Sequence, residues 1–487
     1  MTRIDQEIDM HSAEARIPNQ GDGGSFITRM VERFSTNDMT TGNPYRLLIK
    51  FSIPLLIGNI FQQLYNTVDS IVVGNYVSEN ALAAVGSGFP FMLAITSLFI
   101  GVGLGAMIII SQYAGAKRYE DIQMTVTTFY RAMLVAVIPI SILGIILARP
   151  VLVMINTPPE TLQDSVRYLQ IVFLGLIGTM GYNMNAGLLQ GIGDSATSLL
   201  FLILSTVVNI VLDLVFVLVC HWGITGVAVA TIIAQFTSWI MGIFYINRKI
   251  SYIHIDLRRL PYVGAILKRA FSLGMPSGLQ QMLFAVGAIV FQSIVNLQGR
   301  FFLAGFTGAN KIDSFVFMPI QSITIAISTY TAQNFGANRI DRIHSGKRAG
   351  IIISVGAALV FGLGIYPFSG AAMSLFNQHP KVIEGGVIYL HSLLPFYTIL
   401  AILFALNSLL RGLGRVMVPL LSTFVSMWLI RIPAAYLLVD LVGPHAVYYS
   451  YVIGWSFGLV ISLLYYHFGN WQKKAKEDYE KNIQAKI

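Results

Sequence analysis

The sequence has little charge and almost no cysteine. Of its 487 residues, 11% are charged and 55% are hydrophobic, a composition typical of membrane proteins rather than soluble ones. Cys220 is the only cysteine, so no disulfide bond can form within the chain. The sequence also lacks a His/Cys cluster spaced for a transition metal and a Gly-x-x-x-x-Gly-Lys-(Ser/Thr) loop for ATP. The chain therefore cannot form an internal disulfide, and it has no phosphate-binding loop of this type through which ATP could drive work.

Long apolar runs dominate the rest of the chain. Twelve of them could cross the roughly 30 Å hydrocarbon core of a bilayer as α-helices. We therefore predict an all-α integral membrane protein with twelve transmembrane spans, numbered 1 to 12 in chain order. They lie near residues 45–73, 81–111, 124–147, 161–188, 196–219, 224–246, 266–296, 302–331, 348–369, 383–409, 416–439 and 444–468.

The second half of the chain repeats the first. Gln112–Arg118 returns as Gln333–Arg339, and Leu188–Gly193 returns as Leu409–Gly414. Both pairs are 221 residues apart (112 to 333 and 188 to 409), so a single duplicated unit explains both matches. Duplicated membrane units are the usual architecture of secondary transporters, in which a site forms between the two halves.

The repeat predicts two lobes of six helices each. Residues 44–250 form the first lobe and 265–468 the second; 251–264 form a linker, and 1–43 and 469–487 form tails. Because each lobe has an even number of helices, both should enter the membrane from the same side. We therefore expect parallel repeats, related by an axis along the membrane normal.

Lys and Arg are concentrated on one side of the predicted spans. The loop after span 6 carries Arg248, Lys249, Arg258, Arg259, Lys268 and Arg269, whereas the loops of the opposite face carry Arg149, Arg167, Arg300 and Lys381. The positive-inside rule then places both termini and the linker in the cytoplasm. This topology explains the net charge of +9, so we expect a multi-pass protein of the cell membrane and no nucleic-acid partner.

Both tails are predicted to be cytoplasmic. Residues 1–43 contain no apolar core of a signal peptide, so we do not expect span 1 to be removed. Within them, apolar side chains at 26–34 share one helical face, which suits a short helix on the membrane surface. A disordered leader is an equal alternative. The C-terminal tail from Gln472 is charged, and we expect it to be solvated.

Few ionisable side chains lie inside the predicted spans. Each costs at least about 2.5–3.5 kcal/mol at the centre of a bilayer, so each is a candidate functional residue. The candidates are Asp69 in span 1, Asp213 in span 5, Lys311 and Asp313 in span 8, and Arg431 in span 11.

In the first lobe, polar residues share helical faces with these aspartates or form stripes of their own. They are Asn59, Gln62, Gln63, Asn66, Asp69 and Ser70 in span 1, Asn183, Asn185 and Gln190 in span 4, Thr206, Asn209 and Asp213 in span 5, and Thr231, Gln235 and Ser238 in span 6. Four polar stripes cannot all face lipid, so we expect them to converge inside the lobe. For any single amide, a hydrogen bond that holds two helices together is an equal explanation.

The residue types restrict what such a site binds. Carboxylates, amide oxygens and hydroxyls are hard donors that suit a hard cation. Two neighbouring buried carboxylates also favour binding of a proton. A Na⁺ site and an H⁺ site therefore look alike in the sequence. Without a loop for ATP, the energy for transport must come from an ion gradient, and no cofactor is expected.

The second lobe does not copy this site. The repeat offset brings no carboxylate to the place of Asp213, and it brings Arg431 close to the place of Asn209. Arg431 is explained either as a functional cation or as a structural residue bound to helix-end carbonyls. Pro54 in span 1 and Pro276 in span 7 occupy nearly the same repeat position, and each predicts a bend.

Several of these segments resemble the multidrug and toxic compound extrusion (MATE) family. They are Tyr65–Asp69, Gln112–Ala116, Asn209 with Asp213, and the Leu-(Gln/Arg)-Gly-x-Gly turn of each repeat. The resemblance extends over most of the chain, from about Asn43 to Phe468. It implies two lobes in a V shape that export drugs or metabolites in exchange for inward Na⁺ or H⁺, by alternating access.

The resemblance also implies which residues bind the coupling ion. Family members carry a cation site in the N-terminal lobe, and the matching positions here are Asp69, Asn185, Asn209, Asp213 and Thr231. We predict that other polar residues contact the substrate, namely Asn59, Gln62, Asn66, Gln235, Gln280 and Gln281. Some members also use acidic residues in the C-terminal lobe, but here span 7 carries two glutamines, which argues against a second coupling site.

We therefore expect an exporter of cationic or amphipathic small molecules that is not an enzyme and has no obligate protein partner. One alternative is a flippase of lipid-linked precursors from the same superfamily. Its cavity should be rich in Lys and Arg, and only Lys311 and Arg431 are available. A membrane-embedded transferase would need a buried His or nucleophile. His391 is the one candidate, and a packing role explains it equally.

Overall fold

The computed structural model describes residues 38–77, 79–155 and 157–484. The predicted surface helix near 26–34 lies outside this part of the chain. By length and composition, the described residues include 11 helices able to cross a membrane, or up to 12 if one bent pair counts as a span. The all-α prediction with twelve spans is thereby confirmed.

Seven helices form the first half of the described chain. They are α1 (Pro44–Tyr76), α2 (Glu79–Gly115), α3 (Tyr119–Met154), α4 (Pro159–Leu174), α5 (Leu176–Gly191), α6 (Ser195–Leu214) and α7 (Gly223–Lys249). A π-helical turn, Val215–Val219, extends α6. The linker at 251–263 has no regular structure before the next helix begins.

The described part of the second half follows the same plan with more interruptions. Its helices are α8 (Gly264–Asn296), α9 (Arg300–Gly336), α10 (Ile340–Ile365), α11 (Ser369–Ser374), α12 (Pro380–Leu393), α13 (Tyr397–Gly412), α14 (Met417–Phe424), α15 (Ile432–Val442), α16 (Tyr449–Phe468) and α17 (Trp471–Tyr479). A π-helical segment, Val425–Arg431, joins α14 to α15.

Span 4 is broken, which the sequence did not predict. α4 and α5 meet at Gly175 at an angle of 51°. A Cβ atom added to Gly175 would lie 2.2 Å from Ile232 Cγ1 of α7, so only glycine allows this contact. Its low helix propensity also favours a break there. In contrast, α1 and α8 continue as helices through Pro54 and Pro276.

Hydrophobic packing differs between the two ends of the molecule. The largest core extends along the first lobe and, near the end that carries the described chain termini, includes side chains of both lobes such as Tyr113 and Tyr330. At the opposite end each lobe has a core of its own. Val72 and Val217 belong to the core of the first lobe, and Phe291 belongs to that of the second. The lobes are thus fused at the terminal end and packed separately at the other.

The C-terminal tail is packed, and the expectation that it is solvated was wrong. Trp471, Ala475 and Ile483 are buried. The rings of Tyr479 and Phe335 meet edge to face at 6.3 Å. Trp471, Ala475 and Tyr479 are spaced by four residues and therefore share one helical face, which an interpretation based on charge alone overlooked.

Candidate functional site

α1 and α6 bring two carboxylates together inside the first lobe. Asp213 is fully buried in the last turn of α6, directly before the π-helical turn Val215–Val219. Asp69 lies on α1, and its carboxyl group lies beside that of Asp213. π-Helical turns disturb the regular backbone hydrogen bonds of a helix and often occur at functional sites.

Hydroxyl groups of two tyrosines and a threonine surround this carboxylate pair. Tyr65 lies one turn before Asp69, contacts its carboxyl group, and has its hydroxyl 3.1 Å from Thr231 Oγ1 of α7. Tyr168 of α4 is close enough to both aspartates to interact with them electrostatically. Polar side chains from α1, α4, α6 and α7 therefore meet at one place.

Several polar atoms of this cluster have no hydrogen-bond partner among the described residues. Asn209 lies beside Asp213 and is fully buried, yet neither atom of its side-chain amide has a partner. The same holds for both carboxylate oxygens of Asp213 and for Oδ1 of Asp69. Leaving a buried polar atom unsatisfied costs about 1–3 kcal/mol. These atoms are therefore available to a ligand.

The donor set fits a small hard cation or a proton. Two carboxylates, one amide oxygen and nearby hydroxyls are the ligands that such cations prefer. A single proton shared by the two carboxylates would satisfy the same pair. Within the described ranges, no group of three or more His, Cys, Asp or Glu residues could hold a metal ion. The arrangement therefore suits a monovalent ion better than a transition metal.

Asn185, the fifth residue predicted for this site, lies elsewhere. It accepts a hydrogen bond from the Tyr130 hydroxyl, and its Nδ2 donates to the Trp239 carbonyl at 2.9 Å. Trp239 is about 12 Å further along α7 than Thr231, at 1.5 Å per residue. Asn185 is buried and links α5 to α3 and α7, so its contacts indicate a structural role.

The residues predicted to contact substrate in the first lobe have different environments. Gln235 lies one turn after Thr231 on α7, and its buried Oε1 has no partner among the described residues. Gln62 is half-buried and Asn66 is exposed on α1. Asn59 instead donates to Ser322 Oγ of the second lobe at 3.1 Å.

The two glutamines predicted for the second lobe differ in burial. Gln281 is exposed. Gln280 is buried, donates to Thr423 Oγ1 at 2.8 Å and accepts from the guanidinium group of Arg411 at 3.1 Å. The structure thus ties Gln280 to its own lobe and leaves Gln281 accessible.

Asp313 and Arg431 belong to one polar cluster of the second lobe. The hydroxyls of Tyr397 and Tyr389 both donate to the Asp313 carboxylate, the second at 3.3 Å. The Arg431 guanidinium lies 3.2 Å from the centre of the Tyr451 ring and close enough to Asp313 for electrostatic interaction. A carboxylate and an aromatic face both stabilise a buried guanidinium. These contacts favour a structural explanation of Arg431.

The remaining candidates from the sequence have ordinary partners. His391 stacks on the Tyr366 ring at 4.0 Å, and its Nε2 lies 2.9 Å from Ser369 Oγ. Lys311 is exposed, with its ammonium group 5.8 Å from the centre of the Phe376 ring. Neither residue contacts a carboxylate here, and His391 is exposed rather than buried.

Sequence reasoning missed the two tyrosines at the carboxylate pair. Tyr65 lies four residues before Asp69 and therefore on the same helical face. That spacing could have identified it, but the polar stripe of span 1 was drawn from amides, Asp69 and Ser70 alone. Tyr168 lies in the amphipathic helix α4, and no pattern around it marks a partner in α1 or α6.

The repeated motifs contact each other across the two lobes. Gln112 Nε2 donates to the Gly412 carbonyl at 3.2 Å, and Gln333 Nε2 donates to the Gly191 carbonyl at 3.2 Å. The 221-residue offset relates Gln112 to Gln333 and Gly191 to Gly412, so the two bonds form a reciprocal pair. The motifs that reveal the duplication are therefore the ones that join the lobes.

Both ends of the described chain also cross to the opposite lobe. The Met39 N–H donates to Gln333 Oε1 at 2.9 Å, and the Met39 carbonyl accepts from Asn334 Nδ2 at 3.1 Å. In the other direction, the Arg118 guanidinium of the first lobe donates to the Ile483 carbonyl. The chain ends thus add a second pair of reciprocal contacts.

These contacts hold the two lobes together at the terminal end. In the part of the chain that the structure describes, the hydrogen bonds between the lobes lie in the half of the molecule that carries the termini. The bond from Asn59 to Ser322, near the middle of α1, is the farthest of them from the termini. Gly101 of α2 packs so closely on α8 that an added Cβ would lie 2.3 Å from Gly278 N. The described lobes therefore meet at one end.

Two duplicated helical lobes that meet at one end and hold a buried polar site define a multi-pass membrane transporter. The MatE family profile matches residues 54–215 and 276–437, one copy in each lobe. The chain belongs to the MATE family.

Curated relatives align with nearly the whole chain. It is 28% identical over 438 residues to a probable multidrug resistance protein, YpnP, of Bacillus subtilis, covering 89% of this chain and 97% of the relative. It is 26% identical over 446 residues to a probable multidrug resistance protein, NorM, of Thermotoga maritima, covering 88% and 93%.

Solved structures share the fold. A MATE transporter in a bent conformation superposes with a TM-score of 0.83 at 23% identity, covering 90% of this chain and 99% of that one. An outward-facing multidrug resistance MATE transporter gives a TM-score of 0.82 at 23% identity, covering 92% and 98%.

Proposed function

We propose that the protein is a secondary antiporter that exports organic compounds in exchange for inward Na⁺ or H⁺, with Asp69 and Asp213 as its coupling site. The proximity of these two carboxylates inside the first lobe carries the proposal. Both oxygens of Asp213 and Oδ1 of Asp69 lack a hydrogen-bond partner among the described residues, and a buried charge without a counter-ion is costly in a membrane. Binding of a cation or a proton would remove that cost, and release would restore it.

The ion would act by favouring one of two arrangements of the lobes. A ligand shifts such an equilibrium only through its different affinities for the two states. α1 is suited to transmit this difference, because it carries Asp69 toward one end and Asn59, bonded to Ser322 of the other lobe, near its middle. If the termini are cytoplasmic, as the distribution of Lys and Arg predicts, a cleft between the lobes would be closed toward the cytoplasm and would open to the outside.

The substrate class follows from the family and from the charge of the first lobe. The curated relatives carry the name multidrug resistance proteins. A carboxylate pair next to the cleft would favour cationic or amphipathic compounds, and Gln62, Asn66, Gln235 and Gln281 are the proposed polar contacts. A flippase of lipid-linked precursors is not favoured, because Arg431 is engaged by Asp313 and Tyr451.

Transport by the purified protein in liposomes tests the proposal. Na⁺ and pH gradients are imposed separately, and accumulation of a fluorescent organic cation is followed. We expect one of the two ion gradients to drive substrate accumulation when the ion flows in the direction opposite to the substrate. Equal accumulation with and without both gradients would contradict the proposal.

A further inference from the structure

We propose that a basic pocket between α3 and the linker at 251–263 binds the phosphate-bearing headgroup of an anionic phospholipid. The pocket has a volume of about 560 Å³ and is lined by Arg131 of α3 together with Arg258 and Arg259 of the linker. The rest of its lining is apolar and includes Val135 and Leu257. The inference is independent of the transported substrate but rests on the membrane orientation proposed above.

The linker is held in a fixed position against α3. The Gln123 side chain makes two hydrogen bonds with the backbone of His254, at 2.7 and 2.8 Å. The Val263 N–H donates to Thr128 Oγ1 at 3.1 Å. These bonds lie on either side of Arg258 and Arg259 in the linker. They fix the position of this segment against α3, so the basic pocket does not need a ligand in order to form.

Arg131 stands at the end of an apolar helix face. It lies one turn before Val135 on α3, and Val135, Ile138, Ile142 and Ile146 continue along that side of the helix with 53–68% of their surface exposed. Such a face suits contact with lipid chains. An arginine one turn beyond it lies at the level where headgroups begin, and basic pockets on the cytoplasmic side of membrane helices bind anionic headgroups.

The three guanidinium groups keep donors available for a phosphate. Arg131 uses one nitrogen in a long bond of 3.4 Å to the Leu260 carbonyl. The nearby carboxylate, Asp256, accepts from the Arg258 backbone N–H at 3.0 Å. Within the described ranges, the ion pairs lie elsewhere and none involves these arginines. Arginine binds phosphate oxygens through paired N–H groups, so chemistry and position both fit an anionic lipid.

Lipid binding to the full-length protein in neutral detergent tests this proposal. Phosphatidylglycerol, phosphatidylcholine with the same chains, or inorganic phosphate is added, and bound lipid is counted by native mass spectrometry while the unfolding temperature is recorded. We expect phosphatidylglycerol to be retained preferentially and to raise the unfolding temperature. The variant Arg131→Gln/Arg258→Gln/Arg259→Gln should bind it roughly 100-fold more weakly, from about 1 kcal/mol per basic residue.

A matched variant separates the pocket from general electrostatic attraction. Arg248→Gln/Lys249→Gln/Lys268→Gln removes three exposed cations at the same end of the molecule without touching the pocket, and it should bind phosphatidylglycerol like the wild type. An equal loss in this variant would overturn the proposal. So would equal retention of both lipids by the wild-type protein, a measurement that needs no variant. If inorganic phosphate at the same concentration raised the unfolding temperature as phosphatidylglycerol does, the pocket would be assigned to a free anion instead.

Discussion

Asp69 and Asp213 differ in burial, although they contact each other. Asp213 has no exposed surface, whereas Asp69 is half-buried. An ion that enters from the cleft would therefore reach Asp69 first and Asp213 second. Asn209, which lies beside Asp213 on the preceding turn, is also buried, so release of an ion from this side would require a change in α1.

Asparagine at either aspartate should abolish ion-driven efflux and leave folding and insertion intact, because a neutral amide is cheaper to bury than a carboxylate. The effects of Asp69→Asn and Asp213→Asn should not add, since both act on one site. Efflux from liposomes measures this, and Asp440→Asn, the same change at an exposed position, is the control. Wild-type coupled efflux from the double variant would disprove the coupling site.

Asp313→Asn should lower the unfolding temperature while the response to ion gradients persists. Asparagine offers the buried hydroxyls of Tyr389 and Tyr397 one acceptor oxygen instead of two, and leaving a buried donor unsatisfied costs about 1–3 kcal/mol. Tyr389→Phe removes only one bond of 3.3 Å and should cost about 1 kcal/mol. Both are measured by thermal unfolding in detergent. Normal stability with lost gradient dependence in Asp313→Asn would instead indicate a second coupling site.

Among the helices, α2 and α8 pack through close backbone contact. Gly101→Ala would place a methyl group 2.3 Å from Gly278 N, whereas a Cβ on Gly103 of the same helix meets no atom within 4 Å. We expect Gly101→Ala to shift the population away from the closed terminal end and Gly103→Ala to leave it unchanged. Distances between spin labels at positions 117 and 339, in a Cys220→Ser background, measure the shift. Identical distances in both variants would contradict the role of this contact.

The helices themselves could be predicted from the sequence because apolar length decides where a span lies. The break at Gly175 could not, because it depends on a contact with Ile232 of another helix. For the same reason the sequence could place Asp69 and Asp213 in the first lobe but could not show that Asn185 bonds to Trp239 instead. Hydrophobic pattern is local information, whereas the partner of a polar group depends on the whole packing.

For the molecule as a whole, the duplication predicts that equivalent turns lie on the same side of the membrane. Lys117 and Asn338 occupy equivalent positions and have φ values of 56° and 55°, so the two turns share an unusual backbone conformation. Cysteines placed at Lys117 and Arg339 should react with a membrane-impermeant thiol reagent from the same side, and both from the cytoplasm. Labelling from opposite sides would contradict the parallel arrangement of the lobes.

Exchange at a single coupling site also predicts how transport responds to voltage. If one monovalent cation leaves for each entering proton, no net charge moves and membrane potential contributes nothing. Each pH unit should then support at most about tenfold accumulation. Accumulation of such a substrate in liposomes with a potassium-clamped potential measures this. A strong response to voltage without a pH gradient would show that the stoichiometry is different.

Both ends of the described chain contact the opposite lobe, and this arrangement has a practical consequence. Met39 is held by Gln333 and Asn334 of the opposite lobe, and Ile483 is held by Arg118. Separating the lobes at this end therefore requires both sets of contacts to break, and a bulky group attached next to Met39 or Ile483 would change the rate of that step. Turnover measured on a tagged protein would then report on the tag as well as on the transporter. An affinity sequence inserted in a loop at the opposite end, away from Met39 and Ile483, avoids this error.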